Sequence, residues 1–257
     1  MSKSYELDSL KDLITFDYKT EDIYSVQGRM RALLEYYKAN PELGCFRDFL
    51  KVYCLVTEKV VDSRFGQEKF FSNVKELNRL DVIFCHFYFK AVKEYLMQGN
   101  TISPWVNSFR ISSEHNAPFV NALMGINSHI NGDLAVCLLE IDFKSRSDYD
   151  RVSSILYAVI PNVLSYLAFE RMDFYGAFGL LAKKFIEEEF NTLIVKWRNN
   201  AFDNYLKLKK SKNPQKDIKF IRESTETLSE NIYNIFKNEV LNPINLIKDL
   251  NNLEVIL

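Results

Sequence analysis

The chain has 257 residues, of which 47% are hydrophobic, and its 33 basic and 34 acidic side chains leave a net charge of −1. This composition supplies enough apolar material for a packed core and excludes an intrinsically disordered chain. A net charge this small creates no overall field that would attract nucleic acid or an anionic membrane, so neither is an expected partner.

Glycine and proline are scarce, with 8 and 6 residues respectively, whereas phenylalanine and tyrosine number 20 and 14. Sheet proteins of this length need many tight turns, and those turns depend on glycine. Apolar residues instead recur at intervals of three and four almost throughout the chain. The sequence therefore predicts an all-α fold, a single multi-helix orthogonal or bundle-like domain around a buried central helix at about 117–141.

The predicted helices are separated by polar or proline-containing breaks. In chain order they cover 22–37, 45–61, 70–97, a short piece at 105–109, 117–141, a helix from 147 to 171, 174–208, 218–240 and a last one from 242. Ser147 or Asp148 is expected to cap the sixth of these, and Pro161 to bend it or start it. A polar loop is expected at 112–116. No repeat or linker divides the chain, so 1–257 is predicted to be one domain, with 1–19 as a flexible N-terminus and 210–257 as a C-terminal helical appendage.

Cysteine usage and apolar runs indicate a cytoplasmic protein. Cys45, Cys54, Cys85 and Cys137 have no CxxC spacing, and three of them lie in apolar runs, which is typical of reduced, buried thiols. The first twelve residues have no apolar stretch typical of a signal peptide. The longest apolar run, 155–169, is shorter than the roughly 20 residues that a membrane span needs.

The helix predicted at 117–141 carries the polar residues of greatest interest. At 100° per residue it is apolar over most of its circumference, which predicts burial. His129 and Asp133 are four residues apart on one shoulder, and Asn127 and Asn131 share the other. A carboxylate one turn from an imidazole can accept its N–H and raise its basicity, which suits a general base. The asparagines would hydrogen-bond a ligand, or all four residues would only tie helices together.

Three further residues are candidates for ligand binding. Asp81 and Tyr88 lie seven apart on another very apolar helix and would form a second wall, or Asp81 would make a salt bridge near a helix end. The planar guanidinium of Arg198 could hold a carboxylate or phosphate, the alternative being a salt bridge to a neighbouring acid. The basic segment 207–222 has seven Lys or Arg with little aromatic interleaving, which favours a solvated face over RNA binding.

Metal and cofactor sites are not predicted. The chain has only three histidines, of which His86 is expected in the core and His115 in solvent, and neither HExxH nor Glu-x-x-His occurs. Neither GxSxG, a P-loop nor a dinucleotide-binding GxGxxG is present. No oligomeric state is predicted.

The segment 124–134, MGINSHINGDL, resembles the Gly-hydrophobic-Asn-small-His-hydrophobic-Asn-x-Asp-Leu signature of a bacterial family of uncharacterised all-helical proteins, a domain of unknown function. Gly132 departs from the larger residue usual at x and is expected to loosen or end the helix there. Weaker matches follow in the same order over residues 20–208. The resemblance implies a helical fold and a focus on His129 and Asp133, and it implies no reaction.

Three hypotheses follow. The protein is an enzyme acting on a small, partly apolar molecule, with His129 as general base and Asp133 orienting it. Alternatively, the same helical pocket binds a small or lipid-like ligand without catalysis. In the third, the His–Asp and Asn–Asn pairs only tie helices together in a structural or interaction protein.

Overall fold

The computed structural model describes residues 10–65, 70–99, 101, 103–115, 117–169, 179–238 and 243–253. Within these ranges the regular structure is helical, which confirms the predicted all-α fold. After a short helical stretch at 10–14, the helices are α1 (Ile23–Ala39), a 3₁₀ turn (Pro41–Leu43), α2 (Gly44–Phe65), α3 (Val74–Gln98), α4 (Val106–His115), α5 (Pro118–Asn127), a π-helical turn (Ser128–Asp133), α6 (Leu134–Glu140), α7 (Arg146–Phe169), α8 (Gly179–Lys210), α9 (Pro214–Asn238) and α10 (Pro243–Asn252).

Several helix ends have the residues that capping requires. The Asp22 carboxylate accepts a hydrogen bond from the Ser25 amide at the start of α1 (2.8 Å), and Asn73 caps α3 in the same way. Gly99 ends α3 in the left-handed conformation, at φ 68°, which glycine adopts without steric cost. These signals explain why the predicted boundaries of α1 and α3 agree with the structure to within a few residues.

Two local predictions were wrong, and one alternative of a third is excluded. Pro161 lies inside α7, which begins at Arg146, so the helix does not start at this proline. The predicted polar loop at 112–116 is helical as far as His115, in α4. Neither Ser147 nor Asp148 caps α7, because this helix already begins at Arg146. The Asp148 carboxylate instead accepts hydrogen bonds from the backbone N–H groups of Ser72 and Asn73, both at 2.8 Å, in the segment that leads into α3.

The central helix is formed by α5, the π turn and α6 in succession. Every residue from 120 to 138 is buried, as the apolar pattern predicted. Two glycines allow its closest contacts: a Cβ on Gly125 would lie 2.3 Å from Phe49 Cγ, and one on Gly132 would lie 2.1 Å from Pro104 Cγ. Larger side chains at either position would push the surrounding helices apart.

The residues at the two ends of the described chain also contribute to the core. Leu10 and Ile14 are 1% and 2% exposed, and both belong to the main apolar cluster. Helix α9 packs along the central helix and adds Ile221 and Ile232 to the same cluster. A cavity lies against the central helix, between it and the helices that pack around it.

Candidate functional site

The cavity has a volume of about 110 Å³ and lies between α2, α3, the central helix, α7 and α8. Its wall is mostly aliphatic and aromatic. The polar or partly polar side chains in the wall are few: Tyr53, Thr57, Asp81, His129, Tyr149 and Arg198. Ligand sites have this composition, with an apolar lining that supplies contact area and a few polar groups that orient the ligand.

His129 lies in the cavity wall and is 4% exposed. Its ring stacks on Phe84, with centroids 3.3 Å apart and planes 9° apart, and it meets Tyr53 edge-on at 4.5 Å. Neither Nδ1 nor Nε2 has a hydrogen-bond partner among the described residues. A neutral imidazole has one donor and one acceptor, and buried polar groups are nearly always paired. The ring therefore carries hydrogen-bonding capacity that no described residue uses.

Burial sets the protonation state of this ring. Desolvation holds the pKa of His129 well below its ordinary value of 6.5. No carboxylate is hydrogen-bonded to the ring to oppose that effect. His129 is therefore neutral at pH 7 and can both donate and accept a hydrogen bond.

The predicted hydrogen bond between His129 and Asp133 does not form. Asp133 instead accepts a hydrogen bond from the indole Nε1 of Trp105 at 2.8 Å. The backbone explains the difference, because residues Ser128–Asp133 form a π turn in which the Leu134 amide donates to the His129 carbonyl, five residues back. The wider turn changes the angle between the two side chains from its α-helical value. Asp133 does not line the cavity.

Asp133 is also unusual electrostatically. Burial raises the pKa of its carboxyl from 3.8 to about 7, while the positive charge of Arg222 and the Trp105 hydrogen bond act in the opposite direction. The group is therefore partly protonated near neutral pH. Because Asp133 lies outside the cavity wall, its titration is expected to change the stability of the fold and not the charge of the cavity.

Asn127 ties the central helix to α9, and Asn131 supports Asn127 from the same helix. Asn127 Nδ2 donates to the Thr225 carbonyl at 3.1 Å and to Ser229 Oγ at 2.9 Å. Asn131 Nδ2 donates to Asn127 Oδ1 at 2.9 Å. Neither asparagine lines the cavity, and both use their side-chain amides for hydrogen bonds within the packed helices.

Asp81 and Tyr88, which were predicted to share a wall, are separated by the structure. Asp81 is half-buried and lines the cavity. Tyr88 is fully buried elsewhere, and its hydroxyl donates to the Phe46 carbonyl at 3.4 Å. Two residues seven positions apart on one helix face are about two turns apart, so they contact different neighbours when several helices pack along that face.

Arg198 lies in the cavity wall and is 6% exposed. Its Nε donates to Ser153 Oγ at 2.9 Å, its Nη2 donates to the Tyr149 carbonyl at 3.0 Å, and its guanidinium carbon lies 4.1 Å from the centre of the Tyr149 ring. No carboxylate of a described residue pairs with it. The predicted alternative, a salt bridge to a neighbouring acid, is therefore absent among the described residues.

Sequence reasoning missed the aromatic residues that surround His129. Phe49, Tyr53 and Phe84 come from α2 and α3, far from His129 in the chain. Their only signal was the high content of phenylalanine and tyrosine in apolar runs. His86, expected in the core, is half-buried and lies beside Tyr18 at 4.9 Å, outside the cavity.

The described part of the chain has neither a metal-binding cluster nor a membrane-spanning helix. No group of three or more His, Cys, Asp or Glu side chains there is placed to hold a metal ion. No helix there is both long and apolar enough to cross a membrane.

Comparison with known proteins identifies the family of this chain but no reaction, ligand or partner. A family model described as a family of unknown function (DUF5995) matches residues 23–237, so the chain belongs to this family. The comparisons with curated proteins and with solved structures gave no match. The description of the family names no reaction, ligand or partner.

Proposed function

We propose that this protein binds a small, largely apolar molecule in the cavity without catalysing a reaction on it, and that His129 hydrogen-bonds a polar group of that molecule. The observation that carries the proposal is the unpartnered imidazole in the cavity wall. An unsatisfied polar group in a buried position costs about 1–3 kcal/mol. A ligand hydroxyl or carbonyl would recover that free energy on binding.

The catalytic hypothesis has less support. A histidine acting as general base needs a group that orients it and stabilises the imidazolium that forms. Asp133, the predicted orienting residue, is bonded to Trp105 and lies outside the cavity wall. An imidazole with no carboxylate partner in an apolar wall is suited to recognition rather than to proton transfer.

The packing hypothesis applies to the asparagines and fails to account for His129. Asn127 makes the hydrogen bonds to another helix that this hypothesis expects, and Asn131 supports Asn127 through a hydrogen bond within the central helix. His129 makes none. A residue retained only for packing would be better replaced by an apolar side chain, because burying its nitrogens is unfavourable.

Binding of octan-1-ol, followed by isothermal titration calorimetry, tests the proposal. The native protein is expected to bind the alcohol at one saturable site. Val159→Phe, which adds bulk to the cavity wall, should abolish binding while the far-ultraviolet circular dichroism stays helical. His129→Leu should weaken binding by about 2- to 10-fold, the value of one net hydrogen bond.

His86→Leu is the matched control, because His86 also packs against aromatic rings but lies outside the cavity. Its affinity for octan-1-ol should equal that of the native protein. The proposal fails if the alcohol does not saturate, or if Val159→Phe folds and still binds it.

A further inference from the structure

We infer that the ligand of this cavity is a medium-chain aliphatic carboxylic acid whose carboxylate pairs with Arg198, an inference that rests on the proposed function. Arg198 is the basic side chain of the cavity wall. The acid's chain would lie against the apolar wall. The hydrogen bond to His129 would go to a second polar group on the chain, such as a hydroxyl.

Arg198 is a buried positive charge without a negative partner among the described residues. Arg198 is 6% exposed, and a buried charge is normally paired with an opposite one. Arg198 has no such pair among the described residues. Two neutral oxygens, Ser153 Oγ and the Tyr149 carbonyl, hold Nε and Nη2, and Nη1 donates to no described residue.

This arrangement resembles a positioned anion receptor. The hydrogen bonds and the Tyr149 ring fix the plane of the guanidinium, so little side-chain entropy is lost when an anion binds. Arginine binds carboxylates through its planar array of N–H donors.

The size and shape of the cavity limit the rest of the ligand. One enclosed water needs about 10–15 Å³, so 110 Å³ is room for roughly seven to eleven non-hydrogen atoms. The lining residues of α7 extend from Tyr149 to Val163, a rise of roughly 21 Å at 1.5 Å per residue. A small volume spread over such a length is narrow, and it suits an extended alkyl chain better than a ring.

Isothermal titration calorimetry with octanoate, octan-1-ol and octylamine on the full chain at pH 7.5 tests the inference. The three probes share an alkyl chain and differ in the charge of the head group. The native protein should bind octanoate at least tenfold more tightly than octan-1-ol. Octylamine should bind more weakly than either.

Arg198→Gln should reduce the preference for octanoate to within about twofold of octan-1-ol, and Arg198→Lys should keep part of it. Arg146→Gln is the matched control, because this half-exposed arginine also lies over the Tyr149 ring, at 5.6 Å, but is outside the cavity wall. It should keep the full preference. Binding of octan-1-ol by each variant reports that the cavity is intact.

The outcomes separate the two proposals. If octan-1-ol and octanoate bind equally well to the native protein, or if octylamine binds best, the inference about Arg198 is wrong and the proposed function stands. If Arg198→Gln binds octan-1-ol and retains the preference for octanoate, the inference is also wrong. If none of the probes binds, both proposals fail.

Discussion

Replacing Asp133 with asparagine should remove a large pH dependence of stability between pH 4 and pH 7. Burial raises the pKa of Asp133 from 3.8 to about 7 in the folded protein. Between those values the unfolded chain releases a proton that the folded protein keeps. The free energy of unfolding therefore falls as the pH rises, by about 1.4 kcal/mol for each pH unit.

The magnitude follows from the two pKa values. Integrated from pH 4 to pH 7, the ionisation of this one group lowers the free energy of unfolding by about 3–4 kcal/mol. That is a substantial part of the 5–15 kcal/mol typical of a folded domain. Asparagine stays neutral over the whole range and keeps an oxygen that can accept the hydrogen bond from Trp105.

Urea unfolding at pH 4, 5.5 and 7, followed by tryptophan fluorescence and circular dichroism, measures the effect. Subtracting the native values from those of Asp133→Asn cancels the other titrating groups, so the difference should increase by about 3–4 kcal/mol from pH 4 to pH 7. Parallel pH profiles for Asp133→Asn and the native protein would refute the assigned pKa and its cause.

Three further predictions concern stability in urea at pH 7. His129→Phe should stabilise the ligand-free protein by about 1–3 kcal/mol, because it removes two buried nitrogens that have no partner among the described residues. A loss of stability would mean that the imidazole makes contacts not seen in the structure. Asn127→Ala should cost about 2–4 kcal/mol by breaking the network to α9, and a near-neutral result would show that water replaces it. Gly132→Ala should cost about 1–3 kcal/mol through its clash with Pro104, whereas Gly28→Ala, with open space around it, should be neutral or slightly stabilising; equal effects would contradict the close contact.

Prediction from sequence succeeded where the signal was local. The buried central helix followed from apolar residues at helical spacing, and the structure buries every residue from 120 to 138. The approximate extents of α1 and α3 followed from the same spacing, and the structure adds the capping side chains of Asp22 and Asn73 at their starts. Such patterns need only the residues within one or two turns of the chain.

Prediction failed where the geometry depended on more distant contacts. The His129–Asp133 pair was inferred from a regular α-helix, and a π turn separates the two side chains. Asp133 found its partner in Trp105, 28 residues away. Asn127 and Asn131, expected at a ligand, bond to α9 and to each other.

The spacing of apolar residues was enough to establish a helical chain with a buried central helix, and residue chemistry was enough to select His129 and Arg198 as candidates. Which polar groups meet the cavity depended on the packing of the helices. His129 and Arg198 come from different helices and line the same cavity, whereas Asp133 does not line it. The physical reason is that periodicity specifies the face of a helix, whereas the partner of each polar group on that face depends on side chains that other helices bring to it.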